Sequence, residues 1–177
     1  FQMAVIEQAR NVLGLDGAHS AEIDAETPHP VIDILPEQKE IDDMGGTMRL
    51  GAHETQIEPG TLAAEIYEAD ACTERHRHRY EVNPEYIDDL QSENMVFSGT
   101  SGRRMEILEL EDHPFFLGTQ FHPEFRSRPD RASPPFVSFL DAVMERSDGD
   151  SETPTSAESD GTADGTTDDD TETEATI

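Results

Sequence analysis

Residues 147–177 contain eleven Asp or Glu, no Lys or Arg, and Ile177 as the one large aliphatic side chain. Such a stretch cannot bury enough apolar surface to offset the entropy of ordering its backbone, so it is expected to be a disordered acidic tail. The core must then come from residues 1–146, enough chain for one domain and too little for two. The tail holds eleven of the 28 net negative charges, which leaves −17 on residues 1–146. A surface of that sign repels nucleic-acid phosphates and anionic membranes, so neither is an expected partner. No apolar run is long enough for a transmembrane span, and a basic segment leading into an apolar one is not seen, so the chain reads as cytoplasmic. Cys72 is the only cysteine, which leaves no internal disulfide and no cysteine-built zinc site. Lys39 is the only lysine against eleven arginines. That composition suits a high-salt cytoplasm, where dense salt screens the self-repulsion of an acidic surface.

Met3, Ile6, Ala9 and Leu13, flanked by Val5 and Val12, predict an amphipathic helix over 1–13, stopped by Gly14 and Gly17. A helix that starts at Phe1 with no cap reads as part of a longer chain. Strands are expected at 31–35, 55–58, 95–99, 105–110 and 115–121, and helices at 62–67, 84–90 and 134–144. Alternating strands and helices indicate an α/β sheet whose order the periodicity leaves open.

Three patterns could carry chemistry. Gln120-Phe121-His122-Pro123-Glu124-Phe125 follows an apolar strand, and a carboxylate two residues after a histidine at a strand end can orient the imidazole as a general base. Alone, His-x-Glu is equally a structural pair. Glu74-Arg75-His76-Arg77-His78-Arg79-Tyr80-Glu81, if extended, puts Arg75, Arg77 and Arg79 on one face and His76, His78 and Tyr80 on the other. This is either a salt-bridged surface strand or a carboxylate clamp built on the guanidinium fork. The alternating histidines could suggest a metal, but no Asp or Cys clusters beside them, so none is assigned. Gly45-Gly46-Thr47-Met48-Arg49-Leu50-Gly51 suits either a hairpin or a mobile lid around one arginine.

Taken together, residues 45–51, 74–83 and 120–125 resemble, in order and separation, the glutaminase portion of CTP synthases. The His-Pro-Glu element is shared by triad-type, class I glutamine amidotransferases, whereas the other two segments are more specific. The resemblance covers residues 1–146 and implies a flavodoxin-like class I amidotransferase domain, incomplete at its upstream strands. It implies His122 as the proton-transfer residue and Glu124 as the carboxylate orienting it. By the same resemblance Phe1 and Gln2 are expected to line the glutamine pocket, Glu22 to hold the substrate ammonium, Arg79 to contact the substrate carboxylate and Arg49 to face an effector. The family nucleophile is a cysteine in Gly-x-Cys-x-Gly, and Cys72, in Ala-Asp-Ala-Cys-Thr, does not match it. The resemblance further implies ammonia transfer to a synthetase domain that uses ATP and Mg2+ to aminate UTP. It also implies GTP as activator, L-glutamine as nitrogen source and a homotetrameric whole enzyme, with no cofactor in this portion. Other readings are a GMP synthetase or carbamoyl-phosphate synthetase glutaminase, or a non-catalytic scaffold of the same fold.

Overall fold

The computed structural model describes residues 1–35, 48–91 and 94–151. The first helix, α1 (Gln2–Glu7), passes directly into a π-helical turn, Gln8–Val12, in which the Leu13 amide donates to the Gln8 carbonyl. The extra residue in that turn rotates the apolar face. Val5, Ile6 and Ala9 are buried, while Met3 and Val12, expected on or beside the inner stripe, face solvent.

α1 packs on a small sheet in which β1 (His19–Ser20) runs parallel to β2 (Pro30–Asp33), and β2 runs antiparallel to β5 (Glu81–Val82). Val5, Ala9, Val31, Ile32 and Val82 form the centre of this core. Leu90 closes it from α3 (Ile87–Leu90), which follows the 3-10 turn Pro84–Tyr86.

The larger sheet has the order β4-β3-β6-β7-β8, with β3 Arg49–Ile57, β4 Ala71–His78, β6 Met95–Ser101, β7 Arg104–Leu110 and β8 Leu117–Thr119. All its pairings are antiparallel. The expected α/β arrangement therefore holds as a parallel β1–β2 pair beside an antiparallel sheet. Short reversals such as the Gly102 turn between β6 and β7 permit only antiparallel neighbours, because parallel ones need long crossovers. α2 (Leu62–Tyr67) is anchored at its start by Glu109, whose carboxylate accepts from the Leu62 and Ala63 amides at 2.8 and 2.7 Å. Ile57, Ala63, Cys72, Ile107 and Phe121 form the second core beneath it.

The two edges of the large sheet meet. The chain leaving β8 hydrogen-bonds β4, the opposite edge, through the His122 amide to the Arg75 carbonyl at 2.9 Å and Arg126 Nη1 to the Thr73 carbonyl at 2.6 Å. The sheet thus curls towards closure and both of its faces can be buried. The last helix, α4 (Pro134–Ser151), runs five residues past the expected start of the tail at 147. Helical hydrogen bonds continue there without an apolar face to bury. Residues 152–177 of the expected tail and residues 45–47 of the glycine-flanked segment lie outside the described residues. Among the described residues, no helix is long and apolar enough to cross a membrane.

Candidate active site

β8 delivers Gln120 and Phe121, both buried, directly before His122. Phe121 is wedged in the second core with its ring edge-on to His76, centroids 5.8 Å apart. Pro123 then starts the 3-10 turn Pro123–Arg126, which folds Glu124 back towards the histidine. His122 Nδ1 lies 2.8 Å from Glu124 Oε1, and both side chains are partly open to solvent. An ionised carboxylate can only accept, so Nδ1 carries the proton and the Nε2 lone pair is left free for proton transfer. The pair is held by backbone on both sides: the His122 amide to Arg75, and the Arg126 guanidinium to Thr73.

Gln2 and the residue after Arg79 reach the same region. Gln2 Nε2 donates to the Tyr80 carbonyl at 3.1 Å and lies 3.4 Å from Gln120 Oε1, while Gln120 Nε2 donates to that same carbonyl at 3.1 Å. One carbonyl thus ties α1, the end of the arginine strand and the approach to His122 together. Gln120, not singled out from the sequence, is the hub of this set. In the sequence it is marked only by its position between an apolar strand and a histidine. Arg79 lies just beyond β4, and its Nε is buried with no hydrogen-bond partner. Phe1 turns its ring to Phe97, 6.3 Å away, and so packs on the core as well as sitting beside Gln2. Glu22 is exposed in the turn after β1, apart from the hydrogen-bonded set.

β4 alternates as the sequence suggests. Cys72, Glu74 and His76 are buried, and Thr73, Arg75 and Arg77 are exposed. Among the described residues, no carboxylate pairs with Arg75, Arg77 or Arg79.

Arg49, the residue expected to face an effector, stands at the start of β3. It turns inward and pairs with Glu106, whose carboxylate is fully buried and needs a counter-charge. Burial pushes Glu106 upward in pKa while Arg49 pulls it back. Burial and then the Arg49 charge lower His76 to about 3, so its ring is neutral.

Cys72 is buried, and desolvation followed by the Glu74 charge pushes its thiol up to about 12. It is a protonated, packed side chain, unlike a nucleophile, whose thiol must be lowered. A cavity of about 370 Å³ lies beside it, lined by Tyr67, Cys72, Glu74, Arg126, Arg131 and Ser133 but by neither His122 nor Glu124.

A strand that ends in a carboxylate-oriented imidazole, on a sheet curled back upon itself, agrees with the matches to known proteins. The glutamine amidotransferase class-I family matches residues 1–142. The chain belongs to that family and has its fold. In particular, it is similar to CTP synthases: 74% identical over 152 residues to that of Natronomonas pharaonis and 72% over 148 to that of Halobacterium salinarum. These alignments cover 86% and 84% of this chain but 28% and 27% of the relatives, so the chain spans just over a quarter of their length. The solved glutaminase domain of Trypanosoma brucei CTPS, with acivicin bound, superposes with a TM-score of 0.76 at 39% identity. That superposition covers 81% of this chain and 57% of the trypanosomal one. The sources of the archaeal relatives agree with the saline reading of the acidic, lysine-poor composition.

Proposed function

We propose that this chain is the glutamine-hydrolysing portion of a CTP synthase, in which His122 moves the proton and Glu124 orients it. The observation that carries the reading is the 2.8 Å contact between His122 Nδ1 and Glu124 Oε1 at the end of β8. The 74% identity to a CTP synthase favours this over another triad amidotransferase or a scaffold. In this reading a cysteine thiolate attacks the glutamine amide carbon, and the C–N bond breaks as His122 passes its proton to the departing ammonia. Water then releases glutamate from the acyl-enzyme. The 177 residues contain no Gly-x-Cys-x-Gly turn, so that thiol belongs to sequence outside them. Arg79, with its unpaired buried Nε, receives the substrate carboxylate. Gln2 and Phe1 border the pocket, Glu22 takes the substrate ammonium, and Arg49 answers an effector once it leaves Glu106. The ammonia goes on to a synthetase portion that uses ATP and Mg2+ to aminate UTP, under GTP control, in a cytoplasmic homotetramer.

The test is His122→Ala in the whole protein that carries this chain. Glutamine-dependent CTP formation is lost and ammonia-dependent formation is kept; equal loss of both would make His122 a structural residue. The 177-residue chain alone releases no glutamate. Turnover abolished by His122→Ala but not by Cys72→Ala would contradict the assignment of the nucleophile to sequence outside it.

A further inference from the structure

Inside the curl of the large sheet, β4 directs His76 and His78 to one side and β7 brings Glu106 to meet them. One ligand-type atom from each of the three lies within 4.8 Å of the other two. The side chains of His76 and Glu106 are fully buried and that of His78 nearly so. Both ring nitrogens of His76, Nδ1 of His78 and Oε2 of Glu106 are buried without a hydrogen-bond partner, although His76 Nδ1 and Glu106 Oε2 are only 3.5 Å apart. Native interiors rarely leave several such atoms facing one another unsatisfied, and a bound ion is one of the explanations. His78 Nε2 is engaged, 3.1 Å from Oε1 of the fully buried Glu81. A carboxylate on the far nitrogen is how metal-binding histidines are fixed in ring angle and tautomer, with the near nitrogen left as a lone pair.

We propose that His76, His78 and Glu106 form a binding site for a transition-metal dication of the zinc class, with Glu81 holding His78 in place from behind. Two imidazoles and one carboxylate suit zinc, cobalt or nickel rather than calcium or magnesium, which prefer all-oxygen sites. Bonds of roughly 2.0–2.2 Å bring tetrahedral ligands to about 3.4 Å from one another, so atoms that lie within 4.8 Å close in by about 1.4 Å at most. The ring of His53 lies edge-on to that of His76, centroids 5.3 Å apart, with its Nε2 on the Leu50 carbonyl. Arg49 keeps Oε1 of Glu106 and leaves Oε2 to the ion. Its charge opposes the cation, as does that of Arg104, whose Nε is 3.3 Å from Glu81, and the buried Glu81 and Glu106 offset these two arginines. An ion here would brace β4 to β7, strands that are not neighbours in the sheet.

The experiment is a Co2+ titration of the chelator-treated 177-residue chain in high-salt buffer, followed by visible absorption and reversed by competition with Zn2+. One equivalent binds with the intense bands of four-coordinate cobalt. His78→Ala and Glu106→Gln each weaken it at least tenfold, and Glu81→Gln weakens it about 10- to 100-fold. Arg49→Gln tightens it, and His113→Ala leaves it unchanged. A second measurement needs no variant: Zn2+ shifts the ring NMR signals of His76 and His78 but not those of His113. Absence of a saturable cobalt band would overturn the site, as would zinc shifts confined to other histidines or unchanged affinity in folded His78→Ala.

Discussion

The backbone amide of His122 donates to the carbonyl of Arg75, 2.9 Å away, so the residue leaving one edge of the large sheet is fixed by the strand at the other edge. The imidazole is thereby placed by the curl of the whole sheet, and only its ring orientation is left to Glu124.

Replacing Glu124 therefore changes orientation and tautomer without moving the histidine backbone. Glu124→Gln can present an amide N–H to Nδ1 and favour the tautomer that carries its proton on Nε2, where it blocks proton uptake. Loss of glutaminase turnover in the whole protein is expected at about 10²- to 10⁴-fold, with the ammonia-dependent reaction retained. Glu124→Ala, which imposes no wrong tautomer, should lose less. Parallel glutamate-release assays on the two variants check the order, and a larger loss in the alanine variant would contradict it.

Much of this was legible in the sequence because local patterns and tertiary demands agree. Pro59-Gly60-Thr61 announces the start of α2, and the Thr61 hydroxyl accepts from the Ala64 amide as the cap. The alternation in β4 correctly separates His76 from Arg75 and Arg77. The buried acids were not legible. Glu74, Glu81, Glu106 and Glu109 are all buried, yet in a chain with forty acidic residues none stands out. Glu106 reads as one more acid in a largely apolar strand, and only the curl, a property of pairings far apart in sequence, buries it. For the same reason the contact between Arg49 and Glu106 was not legible.

His76 should make the fold acid-sensitive. Its pKa is held near 3, against an ordinary value of about 6.5 in the unfolded chain. Between those limits the unfolded chain carries a proton that the folded chain lacks, so stability falls with falling pH by up to about 1.4 kcal/mol per unit. Glu74 and Glu106, raised by burial, have the opposite sign: the folded chain keeps protons the unfolded one has lost, and their contribution falls as pH rises above the ordinary carboxylate range. The difference between His76→Gln and the parent isolates the histidine. Denaturant unfolding from pH 6.5 down to 4.5 should show the variant gaining steadily on the parent. Parallel curves would mean that His76 protonates freely in the folded state.

The Arg49–Glu106 pair is a second place where one substitution should be expensive. Glu106 is fully buried and Arg49 nearly so, and Arg49→Ala leaves that carboxylate with no counter-charge at an expected cost of about 3 kcal/mol of stability. Glu106→Gln in the same background removes the stranded charge and should restore most of that loss. A double-mutant cycle by denaturant unfolding checks it, and simple additivity of the two changes would show that the pair is not coupled.

Gly99 marks the bend that lets β6 follow the curl. The register of β6 against β7 shifts on either side of it, and Ile107, fully buried in the second core, fills the space where a side chain would stand. A Cβ built at Gly99 would lie 2.5 Å from Cγ1 and 2.6 Å from Cδ1 of Ile107, well inside van der Waals contact. Isoleucine is branched at Cβ and has few rotamers with which to retreat, and Ile107 is packed in a cluster with Ala63, Cys72 and Phe121. Gly99→Ala is therefore expected to destabilise by roughly 1–3 kcal/mol through overpacking. Shortening the opposing side chain should relieve it, so Gly99→Ala with Ile107→Ala should be less destabilised than the two single changes sum to. Thermal or denaturant melts of the three variants measure this. If the double variant simply adds the two losses, the glycine is required by backbone conformation rather than by its contact with Ile107.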